Sequence, residues 1–175
     1  MTATHSFTSR LGRLLRHRLL DEDDTRKAIP PELLERLKGR VAASENRHSG
    51  EIRICVEASL PSSYVWRDAT PRQRAVAMFG KLRMWDTEHN NGVLVYLLLA
   101  ERAIEIVADR GLSKLVPQAE WAAMVQRMSA AFREDRFEDG LTQALEEVSA
   151  LLVQHFPLAP GESNSNELPD EPVLG

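Results

Sequence analysis

The sequence predicts an α/β protein, an α/β/α sandwich in which a small mixed sheet carries helices on both faces. Three observations predict it. EIRICVEASL, residues 51 to 60, alternates apolar and polar side chains with a period of two. VLVYLLL, residues 93 to 99, is apolar on both faces and follows a polar turn ending in Asn90-Asn91-Gly92. The stretches around them repeat apolar residues at helical spacing.

In chain order, Leu11, Leu14, Leu15 and Leu19 recur at i, i+3, i+4 and i+8 and predict an amphipathic helix. Arg10, Arg13, Arg16, His17 and Arg18 make it basic, and the acidic run DEDD of residues 21 to 24 follows. Such a face suits packing on the domain; it also suits weak contact with a membrane surface or an anionic partner. Residues 1–29 are therefore read as a helical extension. Pro30 and Pro31 open a second helix, since proline is tolerated in a first turn whose amides lack partners anyway, and Leu33, Leu34, Leu37 and Val41 give it an apolar stripe. Gly50 ends it and starts the first strand, where Ile52, Ile54 and Val56 oppose Glu51, Arg53, Cys55 and Glu57. Thr70-Pro71 caps a third helix bearing Ala75, Val76, Met78, Phe79 and Leu82.

Asp, Asn and Gly between Asp86 and Gly92 form a turn because short polar side chains bond nearby backbone and glycine accepts left-handed dihedrals. The buried second strand then reverses at residues 100–102 into an alternating third strand, Ala103 to Asp109, so a hairpin is predicted. Two helices complete the pattern: residues 117–133 with Trp121, Met124, Val125, Met128 and Phe132, and 137–156 with Leu141, Leu145, Val148, Leu151 and Leu152. The sandwich is assigned to residues 30–157. Residues 158–175 are rich in Pro, Ser, Asn and acids without periodicity, and are expected to be extended or disordered and to bury little surface.

A chain of 175 residues with 43% hydrophobic and 27% charged residues has the size and composition of one self-sufficient domain. Its net charge of −4 argues against nucleic-acid binding. The N-terminus lacks a continuous apolar core, and the longest apolar run, VLVYLLLA, is too short to span a bilayer, so a cytoplasmic protein is expected. The single cysteine, Cys55, sits in a strand and reads as a buried thiol.

Hard divalent cations take several oxygen ligands, and Glu57, Asp86, Glu88, Asn90, Asn91 and Asp109 offer them near strand ends and turns. With the first two strands parallel and the third antiparallel, Asp109 returns to the Asn turn while Glu57 is left at the opposite edge. The candidate cluster is then Asp86 and Asp109 as metal ligands, with Asn90, Asn91 and Arg110 binding the ligand; turn chemistry with Arg110 as counter-charge is its bland alternative. Phosphate-loop, Cys-x5-Arg, His-Glu-x-x-His and Gly-x-Ser-x-Gly motifs are absent. The five histidines are scattered, His89 alone lying in the polar turn.

WDTEHNNGVLVYLLL, IEIVADRGL, AFREDRFEDGL, a helix ending in HFP, SGEIRICVE and NELPDE stand in an order that resembles the TPM domain, in its small soluble bacterial branch, over residues 44 to 170. The resemblance implies an α/β/α sandwich. It also implies a divalent-cation binder, an acid phosphatase or a domain of unassigned activity, since all three descriptions occur in the family. ADRGLSKL replaces the Gly-Tyr-Gly-Leu-Glu-Gly segment of membrane-anchored members, so that loop does not carry over. Two functions are therefore expected to compete: a noncatalytic module binding an unidentified protein partner or Ca or Mg, and a metal-dependent acid phosphatase.

Overall fold

A computed structural model describes residues 7–175, with side chains described from Leu11 onward. Its elements are α1 (Phe7–Leu19), α2 (Glu22–Ala28), α3 (Pro31–Glu45), β1 (Ile52–Glu57), α4 (Ser62–Trp66), α5 (Pro71–Lys81), β2 (Val93–Leu98), β3 (Ala103–Ala108), α6 (Arg110–Ser113), α7 (Gln118–Arg133), α8 (Phe137–His155) and β4 (Val173–Leu174). A single 3₁₀ turn, Leu99–Glu101, closes the β2–β3 hairpin, and Arg102 takes the left-handed conformation after it. The sheet order is β3-β2-β1-β4; β1 runs parallel to both β2 and β4, and β3 is antiparallel.

Strand alternation sorts the core into two halves. Ile52, Ile54 and Val56 of β1 join Val93, Val95 and Leu97 of β2 under α3, α7 and α8. Cys55, with Leu94, Tyr96 and Leu98, faces Val65 of α4 and Ala75 and Met78 of α5. β2 is buried on both faces, as its unbroken apolar run requires. Trp121 and Phe132 are buried in the first half. Thr70 caps α5 through a reciprocal box in which its hydroxyl accepts from the Gln73 amide and the Gln73 side chain accepts from the Thr70 amide.

The two ends fare differently against expectation, the extension packing on the domain as one of its expected fates and the tail departing from it. The extension docks on the domain: the Arg13 guanidinium donates to Glu101 (2.8 Å) and Asp68 (2.9 Å), and the Thr25 hydroxyl donates to the Gly175 carbonyl (3.0 Å). The tail, expected to be extended or disordered and to bury little, instead supplies β4, and Leu168 is buried. The Glu51 carboxylate accepts from the amides of Glu167 (3.1 Å) and Leu168 (3.2 Å). A two-residue strand held by backbone and by carboxylates leaves no side-chain periodicity, so the pattern could not report it. Deleting residues 158–175 is accordingly expected to lower the melting temperature by several degrees, because Glu51 loses its partners while remaining in the fold. An unchanged melt would return the tail to the surface.

The buried Glu45 of α3 adds a pH dependence to stability. Burial pushes the Glu45 carboxyl from its ordinary 4.5 up to about 8, with Glu51 and Asp170 adding to the rise. The folded chain therefore keeps a proton that the unfolded chain loses, and this contribution is fully present below about 4.5 and lost as the pH rises toward about 8. Glu45→Gln mimics the protonated group, so the melting temperature of the variant relative to the native chain should rise between pH 5 and pH 8, roughly the window of that titration. A difference that stays constant would assign the proton elsewhere.

Candidate functional site

Parallel β1–β2 and antiparallel β2–β3 bring the end of β3 back to the turn that starts β2. The two loops are stitched by their backbones: the Asp109 amide donates to the Gly92 carbonyl (2.9 Å) and the Gly111 amide to the Asn90 carbonyl (2.8 Å). Both glycines are required by this approach. A Cβ on Gly92 would run into the Met84 carbonyl oxygen, and one on Gly111 into the carbonyl oxygens of His89 and Asn90. Asn90 adopts a left-handed φ of 52°, which asparagine tolerates.

On this frame Arg110 Nε donates to Asn90 Oδ1 (3.1 Å), and the Asp109 carboxylate caps α6 by accepting the Arg110 amide at Oδ1 (2.7 Å). Asn91 is fully buried; its amide donates to the Thr87 hydroxyl (3.1 Å) and its Nδ2 to the Ser49 hydroxyl (3.3 Å). Asn91 Oδ1 and Asp109 Oδ2 are both buried, and among the described residues neither accepts a hydrogen bond. A buried acceptor left unpaired costs about 1–3 kcal/mol, a cost that a water or a cation can remove.

Asn90, Asn91, Asp109 and Arg110 thus come together, whereas the Asp86 carboxylate is ion-paired with Arg83 at the exposed start of the turn. No group of three or more His, Cys, Asp or Glu side chains suited to holding a metal occurs among the described residues. A cation here would have to draw on amide and main-chain oxygens as well as carboxylates. Beside the loops, Ser49, Glu88, His89, Asn164 and Glu167 line an open cleft of about 600 Å³, and the Glu88 amide donates to Glu167 (3.0 Å). Glu57 lies at the other end of the sheet, paired with Arg74.

One contact escaped the sequence pattern. His48 Nε2 lies 2.8 Å from the Ser44 hydroxyl, and its Nδ1 lies 3.0 Å from the Gly50 carbonyl, an arrangement like that of a nucleophile and its base. Both residues are buried, and burial pulls the imidazole down to about 4. A base so weak takes a hydroxyl proton poorly near neutrality. The i, i+4 spacing was the available signal. Cys55 is no better placed, since burial pushes its thiol up to about 12.

A family model described as TPM domain matches residues 23–151. The fold is similar to the NMR structure of the BA42 protein from the psychrophilic bacterium Bizionia argentinensis, with a TM-score of 0.72 and 24% identity, covering 84% of this chain and 95% of that one. It is also similar to the solution structure of the N-terminal domain of a P. gingivalis protein, with a TM-score of 0.57 and 20% identity over 71% of this chain and 78% of that one. No curated protein matches the sequence. No helix among the described residues is long and apolar enough to cross a membrane.

Proposed function

The chain belongs to the TPM domain family, and from that premise we propose that it is a noncatalytic module that binds a hard divalent cation, calcium or magnesium, where the loops of Asn91 and Asp109 meet. The observation that carries this reading is the pair of buried, unpaired oxygens, Asn91 Oδ1 and Asp109 Oδ2. An amide oxygen, a carboxylate oxygen and loop carbonyls are the donor set that these cations prefer. Asp86 would join only by releasing Arg83, and Arg110, anchored by Asn90, would meet an anionic group of a protein partner at the rim. A cytoplasmic setting belongs to the same proposal.

The alternative, a metal-dependent acid phosphatase acting on phosphate esters, would use Arg110 to neutralise phosphate oxygens. It has less support, because a metal that activates water for ester hydrolysis is usually held by several carboxylates or histidines, and no group of three or more such side chains suited to a metal occurs among the described residues. Calorimetric titration with calcium and with magnesium should give saturable binding that Asp109→Asn weakens by about tenfold or more while the fold persists. The absence of saturable heat, or equal binding by the variant, would remove the cation. Metal-dependent turnover of a generic phosphate ester, lost in the same variant, would favour the phosphatase.

A further inference from the structure

α1 docks with its polar side inward. Besides the bonds of Arg13 to Glu101 and Asp68, His17 is buried, with Nε2 2.9 Å from Glu101 Oε1 and Nδ1 accepting the Leu60 amide at 3.1 Å. Of the leucines, Leu14 packs against the core, while Leu11, Leu15 and Leu19 are 51%, 54% and 79% exposed. These three repeat at i, i+4 and i+8 and form one outward row. Arg16 and Arg18 are exposed beside it, and Trp66 of α4, against which α1 packs, is 75% exposed. A helix held only by domain packing would turn its leucines the other way.

We propose that α1 is a docking surface for an anionic lipid bilayer, with Leu11, Leu15 and Leu19 entering the boundary of headgroups and acyl chains and Arg16 and Arg18 meeting acidic headgroups. Two observations select this occupant. The helix FTSRLGRLLRHRL contains no acid, so its exposed charge is wholly cationic. Of the acids that follow, Asp21 and Asp24 close the capping box of α2, Asp23 lies 3.7 Å from Arg26, Asp24 lies 3.1 Å from Lys27, and Glu22 is exposed on α2 rather than on α1. The apolar row is also a narrow convex ridge. A stable protein interface needs about 800 Å² from each partner, far more than three leucines offer, whereas a bilayer requires only that apolar side chains partition and basic ones stay at the headgroups. A second copy would set Arg16 and Arg18 against their own kind.

The test is co-sedimentation of the full chain with vesicles of phosphatidylcholine alone and of phosphatidylcholine mixed with phosphatidylglycerol. The chain should bind the mixed vesicles, bind neutral ones weakly, and release as salt is added. Arg16→Gln and Arg18→Gln should each weaken binding roughly fivefold. The combined Leu11→Gln, Leu15→Gln, Leu19→Gln variant should bind about tenfold more weakly or worse, yet melt with the native chain because its altered side chains point outward. Failure to bind the mixed vesicles, equal binding to both kinds, or undiminished binding by the leucine variant would overturn the proposal. So would a large fall in the variant's melting temperature, or a solution dimer that the leucine changes dissociate without any vesicle binding.

Discussion

Arg74→Ala is expected to destabilise the chain by about 3–5 kcal/mol, the range for removing one partner of a buried ion pair. Glu57 is only 7% exposed at the end of β1, and the Arg74 guanidinium grips it in a fork, through Nε to Oε2 (2.8 Å) and Nη2 to Oε1. The Tyr96 hydroxyl donates to the same carboxylate (2.7 Å), and the Tyr64 ring lies under Arg74 at 5.0 Å. The bonds to Glu57 hold Arg74 above its ordinary value, and burial followed by the Glu57 charge raises the Tyr96 hydroxyl. Without Arg74 the carboxylate is left buried with only the phenol. Urea unfolding measures the loss, and adding Glu57→Gln should recover a good part of it. A loss below about 1 kcal/mol would make the pair no stronger than a surface ion pair.

Phe132→Ala is expected to cost a similar amount, about 3–5 kcal/mol, because its cavity cannot collapse. The ring is fully buried between α7 and α8 and rests where Gly140 leaves room; a Cβ there would lie 2.7 Å from Phe132 Cζ. Phe137 approaches it at 6.2 Å between ring centroids. Loss of the ring leaves an apolar void facing a glycine, and two rigid helices close it poorly. The same unfolding measurement decides, and a neutral result would show α7 free to slide into the space.

Strands β1 and β3 and helices α3, α5, α7 and α8 were legible because each buries one face over enough residues to show a period, and β2 because an unbroken apolar run marks a strand covered on both faces. The hairpin register was legible too: nearly equal strands returned Asp109 to Gly92 and Arg110 to Asn90. What escaped was decided by partners distant in the chain, or by competitors close in it. Periodicity marked the leucine row of α1 but not its outward direction, which depends on Glu101 and Asp68 receiving Arg13. Asp86 was grouped with Asp109, yet Arg83, three residues away, holds its carboxylate. β4 was invisible because its docking uses Glu51 and main-chain groups rather than a stripe.

The sheet order β3-β2-β1-β4 sets an order of assembly. β2 and β3 are neighbours in sequence and close cheaply, whereas the rung from Cys55 to Val173 waits until nearly the whole intervening chain has been gathered. A two-residue strand closed over so long a loop is expected to open before the hairpin. The segment leading into β4 covers Glu51 and lines the cleft beside the Asn90 turn, so its departure would bare the amino end of the sheet while the hairpin stayed closed. The Asn90 and Asp109 loops are thus built on the hairpin and roofed by the segment that leads into β4.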